Sequence, residues 1–221
     1  MDSQDGVFVV AGNLGATIQL DAVWSFREPT YNNEVGVFVV DGEGKVDGIA
    51  PGSKGYADAA LRSASRHTLL KSCEETGGWE SFDAVAGSHL AFYLIQNDSI
   101  TNWLDKASQG KPTPQVLFSI DQANPSGLER MRNTDLGKGI LSMAWEDLVK
   151  KSDNDFNDVV LQISQPSVVV PGAAGGATTL KVNRLEKSSS CLSEMGIYLT
   201  DTPDGKVDGL SPVTLAISRP C

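Results

Sequence analysis

The sequence predicts a mostly β protein: an antiparallel β-sandwich, jelly-roll-like, with one or two short helices inserted. Three observations carry that prediction. Short runs rich in valine, isoleucine and aromatic residues recur along the chain, each closed by turn-forming residues. One run alternates polar with apolar positions, the period of a strand with one wet face. Helical stretches are few, and they do not alternate with strands in the sustained way a βαβ array requires.

Residues 6–10 (GVFVV) form the first apolar run, and residues 17–24 (TIQLDAVW) alternate. Residues 35–40 (VGVFVV) lead into Asp41, Gly42, Glu43 and Gly44, a glycine-rich turn that predicts a hairpin. Later strands are expected at residues 90–95, 115–120 and 159–163, all punctuated by turn residues, as in a sandwich or jelly roll. Residues 56–70 (YADAALRSASRHTLL) follow Pro51 and Gly52, contain neither proline nor glycine, and read as a helix. Residues 101–106 read as a short helix or turn.

Composition limits the function. The 221 residues suffice for one large β-domain or two modest ones. A net charge of −10 argues against a nucleic-acid partner, which needs a basic face. The acidic excess suits a secreted protein that holds divalent cations, and equally a solvated surface that holds nothing. No apolar run approaches the roughly 20 residues of a membrane span. The acidic start, from Met1 to Asp5, lacks the basic and apolar regions of a signal peptide, which leaves a cytosolic protein or a module of a longer secreted chain; the second is the expectation. Cys73, Cys191 and Cys221 include no CxxC pair, which argues against a zinc knuckle. Cys191 and Cys221 could pair if their strands are adjacent; three free thiols is the simpler reading.

An internal repeat organises the chain. Residues 34–51 (EVGVFVVDGEGKVDGIAP) recur as residues 194–212 (EMGIYLTDTPDGKVDGLSP) with one inserted residue. The expected division is therefore a β-sandwich domain over residues 1–165, then a partial repeat over residues 166–221. That remnant is too short to close its own core, so it is expected to pack on the first domain or on a neighbouring protomer.

The chemistry concentrates in residues 145–163 (WEDLVKKSDNDFNDVVLQI). Asp153, Asp155, Asn157 and Asp158 supply three carboxylates and one amide oxygen within six residues. Calcium takes about six to eight oxygen ligands, often from one tight acidic loop with backbone carbonyls and water. If extended, the segment projects Asp153, Asp155 and Asn157 to one side and Phe156 to the other, as an anchor in the core. Glu146 and Asp147, just upstream, are placed to return to the same ion. The other reading is an acidic turn whose aspartates cap the backbone, with Lys150 and Lys151 relieving the repulsion. The loop lacks the sixth-position glycine and the distal glutamate of an EF-hand. The repeat loops at residues 41–48 and 201–209 also carry aspartates; a hairpin turn explains their spacing, with Asp47 the exception that could serve as a ligand.

Residues 34–61 (EVGVFVVDGEGKVDGIAPGSKGYADAAL), LFSIDQAN at residues 117–124 and MAWEDLVKKSDNDFNDVVLQI at residues 143–163 together resemble the bacterial DUF4114 family. The resemblance spans roughly residues 1–165, and its most specific part is the last motif. It implies a domain of large secreted or cell-surface bacterial proteins, often beside RTX or cadherin-like repeats. Similar acidic-loop modules act as calcium-dependent ligand-binding tips of adhesins. By that resemblance Asp153, Asp155, Asn157 and Asp158 are metal ligands, supported by Glu146 and Asp147. Where the family carries glycines before the acidic run, this chain has Lys150, Lys151 and Ser152.

No catalytic constellation is present: there is no GxSxG, HExxH or P-loop. His67 and His89 read as structural, and the acidic neighbours of Cys73 oppose thiolate formation. The expected function is a calcium-dependent, extracellular, non-enzymatic binding module that meets a peptide or glycan on a target surface. The alternative is a structural subunit that self-associates through the partial repeat into a filament or layer.

Overall fold

A computed structural model describes residues 2–27, 31–71, 78–137, 139–149 and 153–165. The chain divides into two compact units, Met1–Leu185 and Glu186–Cys221, and every described residue belongs to the first. The partial repeat, the three cysteines and Lys150, Lys151 and Ser152 lie outside the described residues.

Among the described residues, eleven strands and two helices follow in chain order: β1 (Asp2–Gln4), β2 (Val7–Val9), β3 (Thr17–Arg27), β4 (Glu34–Val40), α1 (Tyr56–Arg62), β5 (His67–Leu70), β6 (Trp79–Val85), β7 (His89–Ile95), α2 (Ile100–Ser108), β8 (Val116–Phe118), β9 (Met131–Gly137), β10 (Ile140–Trp145) and β11 (Val159–Ser164). All pairings are antiparallel. One sheet runs β1-β2-β7-β4-β5, and the other β6-β3-β11-β10-β9. β4 occupies one edge of β7, while β2 pairs with its beginning and β8 with its end, Tyr93 to Ile95. The fold is the mostly β sandwich expected from the sequence.

Two apolar layers explain why some strands alternate and others do not. Between the sheets, Phe8, Trp24, Val37, Phe92, Met143, Trp145 and Leu161 form one core. On the far face of the first sheet, Phe38, Tyr93, Phe118, Tyr56 from α1 and Trp103 from α2 form a second. The central strands β4 and β7 are thus covered on both faces and read as near-continuous apolar runs. β10 and β11 face the core on one side only, so buried and half-exposed residues alternate along them.

The single helix expected over residues 56–70 is corrected: α1 ends at Arg62, and β5 begins at His67. Serines break the helix. Ser63 Oγ accepts the backbone N–H of Ser65 at 3.2 Å, a local bond that competes with helical pairing. The chain then turns and seats β5 against β4, where Leu69 and Leu70 are buried. His67 accordingly lies on a strand, 3.2 Å from Glu80, and not in a helix.

The expected hairpin after β4 is also more elaborate than two strands joined by one turn. Asp41 Oδ1 accepts the N–H groups of Glu43 and Lys45 at 2.9 and 2.8 Å. Val46 and Ile49 then exchange both backbone bonds across Asp47 and Gly48, whose φ values are 50° and 77°. That positive-φ pair is what a two-residue hairpin turn requires, and Asp-Gly supplies it cheaply.

Candidate metal centre at the acidic loop

Neighbouring strands bring the acids together. β10 ends at Trp145, directly opposite Val159 of β11. Glu146 and Asp158 are each one residue beyond that pair, so the connection between them must fold back over the end of the second sheet. One carboxylate oxygen each from Glu146, Asp153 and Asp155 lies within 4.8 Å of the others. Glu146 is fully buried, while the two aspartates are exposed.

The loop is not the extended segment the sequence suggested. Asn154 and Phe156 have φ values of 59° and 56°, left-handed conformations that are uncommon outside glycine. Asn, with its short polar side chain, tolerates this region; Phe does not, and must be held there by its surroundings. Phe156 is buried at 6% exposure, and the Arg132 guanidinium sits 3.7 Å from its ring centroid, a cation–π contact. The expected anchoring role of Phe156 is thus reached by a different backbone path. Asn157 braces Asp155, donating its backbone N–H to Oδ1 at 3.2 Å and its side-chain amide to Oδ2 at 2.6 Å.

Asp147 and Asp158 form a separate, inner arrangement. Asp158 Oδ2 accepts the backbone N–H of Asp147 at 2.7 Å. Asp147 Oδ2 accepts from the Asn33 amide at 2.6 Å, and the Asp147 carbonyl accepts from Gln96 Nε2 at 2.7 Å. Asn33 in turn accepts the N–H of Asn97 at 2.9 Å. This network ties the acidic loop to the ends of β4 and β7 in the opposite sheet. Burial raises the Asp147 carboxyl to about 6; Asn33 opposes the rise, and the neighbouring Asp158 and Glu146 add to it.

Arg130 holds the same segment from behind. It is buried, its Nη1 donates to the Leu148 carbonyl at 2.8 Å, and its own carbonyl accepts the N–H of Glu146 at 3.0 Å. Arg130, Arg132, Asn33 and Gln96 were not foreseen, since each approaches from a strand end distant in sequence. Of the residues expected as ligands, Glu146, Asp153 and Asp155 converge, Asn157 braces Asp155, and Asp147 with Asp158 lies in the inner network. Asp47 is in the two-residue turn after β4 and is not among the converging carboxylates. An all-oxygen donor set of this kind could hold a hard cation such as calcium, and lacks the thiolate or imidazole that favours zinc.

A pH dependence follows. An acid whose folded-state pKa lies above its unfolded value stabilises the protein fully below the unfolded value. That contribution is lost as pH rises through the folded one. For Asp147, a rise from 3.8 to about 6 sets a ceiling of roughly 3 kcal/mol. In EDTA, stability from urea melts should fall between about pH 4 and pH 6.5, and Asp147→Asn should flatten that fall. Parallel curves for the two proteins would contradict the assignment.

Fold and site together define a two-sheet antiparallel sandwich with an oxygen-rich loop closing one end. Residues 85–165 match the model of the family described as Domain of unknown function (DUF4114). The match covers the later part of the span that the sequence suggested and includes the whole acidic loop. Among solved structures, the chain is similar to the Ralstonia solanacearum high-affinity mannose-binding lectin, at 15% identity and a TM-score of 0.31, over 75% of this chain and 99% of that one. The Chromobacterium violaceum lectin CV2L, in complex with alpha-methyl-fucoside, is 11% identical with a TM-score of 0.32, over 75% and 99%. The C-terminal domain of the BC2L-C lectin from Burkholderia cenocepacia is 14% identical with a TM-score of 0.33, over 74% and 97%. Likeness at that level carries no argument about ligand. No curated protein matches the chain. Among the described residues, no helix is long and apolar enough to cross a membrane.

Proposed function

We propose that this chain is a calcium-dependent, extracellular binding module of a bacterial surface or secreted protein, with the ion held at the DNDFND loop. The observation that carries this reading is the convergence of Glu146, Asp153 and Asp155 within 4.8 Å, one of them fully buried. Three carboxylates packed this closely repel one another at neutral pH, and a divalent ion removes that repulsion. Calcium accepts more oxygens than three side chains provide. Backbone carbonyls, water and a hydroxyl or carboxylate of a peptide or glycan ligand would fill the remaining positions. Asn157 and Arg130 would fix the loop, and Asp147 with Asp158 would tie it to the other sheet.

Calorimetric titration of the calcium-free protein with calcium tests the reading directly. Wild type should show saturable binding within the span of sensor and extracellular sites, roughly 10⁻⁷–10⁻³ M. Asp155→Ala should weaken it by about a hundredfold or abolish it. Equal heats from wild type and Asp155→Ala would place any bound calcium elsewhere.

A further inference from the structure

The outer, helix-covered face of the first sheet carries a cleft of about 780 Å³, lined by the start of α1, the segment before β8 and the two single 3₁₀ turns at Asp121–Ala123 and Pro125–Gly127. That volume falls within the roughly 300–1,000 Å³ of ligand pockets. None of the residues lining it belongs to the acidic loop.

The walls are fixed. The buried Asn124 side chain accepts the Phe118 N–H at 2.7 Å and donates to the carbonyls of Phe118 and Leu128 at 2.9 and 3.1 Å. Trp103 donates its indole N–H to the Pro114 carbonyl at 3.2 Å, and Tyr56 its hydroxyl to the Gly44 carbonyl at 2.8 Å. At Gly52 (φ +79°) a Cβ would lie 2.5 Å from the Gln122 carbonyl oxygen, so two loops meet there backbone to backbone. Ser126, at the lip, has φ 60°, a strained conformation that points to a functional constraint.

The chemistry of the lip selects the ligand. Exposed Ser53, Thr113, Gln115, Gln122 and Ser126 present hydroxyl and amide groups, each able to donate and to accept, alongside the Asp58 carboxylate. No lysine, arginine or histidine is among the described residues lining the cleft, and Arg62 beside it is already paired with Asp58 at 2.8 Å, so an anion meets no uncompensated positive charge there. A peptide is poorly served. The Phe118 N–H and C=O on the open edge of β8 are already taken by Asn124, which blocks strand addition, and the apolar side chains of Tyr56, Trp103 and Phe118 are buried. We infer that the cleft beside α1 binds a neutral saccharide, independently of calcium and of the acidic loop.

The test uses the full chain, isotopically labelled, in EDTA, titrated with maltotriose, cellotriose and mannotriose, with trigalacturonate and an uncharged Ser-Gly peptide as comparisons. At least one neutral trisaccharide should give saturable shifts of the Gln115 and Gln122 side-chain amides, and neither comparison should. Ala57→Trp, which fills the cleft, should weaken that binding by about tenfold or more. Gln122→Ala, at an exposed position, should weaken it by about threefold or more and keeps the test valid if the larger substitution unfolds the protein. Asp155→Ala should leave it unchanged. The inference is overturned if no neutral trisaccharide shifts those amides or if a comparison ligand binds there as well. It is also overturned if the shifts need calcium, or if they persist at full strength in the cleft variants. Because binding is read in EDTA, a failed calcium reading leaves this result untouched.

Discussion

Millimolar calcium should raise the melting temperature of this protein by about 5–10 °C, and EDTA should remove the gain. An ion that binds only the folded state stabilises it by about 2.7 kcal/mol at a hundredfold excess over its dissociation constant. For a domain of this size each kcal/mol shifts the midpoint by roughly 2–4 °C. The expected gain has a specific origin: one carboxylate oxygen each from Glu146, Asp153 and Asp155 lies within 4.8 Å of the others, with Glu146 fully buried. Magnesium should do less, since it demands near-octahedral geometry and dehydrates reluctantly. Asp155→Ala and Glu146→Gln should each remove most of the calcium response. Thermal melts at constant pH decide the matter, and coincident curves in EDTA and in calcium would end the metal assignment.

The residues that made the fold legible are those whose environment extends over several positions. β4 and β7 stand out as apolar runs because helices cover the face that the second sheet leaves open. β11 alternates because its other face is less covered. β9 carries no such signal: after Met131 all its described side chains are exposed, so only its hydrogen bonds to β10 make it a strand. β5 was masked because its four residues, HTLL, continue without a proline or glycine from the alanine- and leucine-rich stretch that forms α1. The difference is decided by Ser63 and by the open edge of β4, a tertiary effect that local propensity does not contain.

The candidate site divides along the same line. Asp153, Asp155 and Glu146 are legible because all three lie in the single connection between β10 and β11, whose ends the antiparallel pairing holds side by side. Arg130, Asn33 and Gln96 are not, because their partners are backbone carbonyls and a carboxylate supplied by loops far away in the chain. The left-handed Asn154 and Phe156 were hidden for a different reason. A phenylalanine gives no warning of positive φ; that conformation is imposed by the burial of its ring beneath Arg132.

Trp145→Ala should cost about 3–5 kcal/mol and weaken calcium binding as well. Trp145 is fully buried in the core between the sheets, paired with Val159 on one side and Met131 on the other. Removing the indole deletes a large apolar surface and leaves a cavity that the flanking strands can only partly close. The cavity would open next to Glu146, whose backbone continues directly from this residue, so the buried carboxylate would lose its fixed position. Leu20→Ala separates the two effects. Leu20 is equally buried in the same core, but pairs with Phe82 near the middle of β3, away from the strand ends that carry the acids. It should cost about 2–5 kcal/mol in urea melts yet leave the calcium titration as in wild type. Trp145→Phe should be mild on both counts: it retains a ring in the core, and the indole N–H it removes has no hydrogen-bond partner among the described residues. If Trp145→Ala binds calcium as tightly as Leu20→Ala does, the ion is not held at the end of β10.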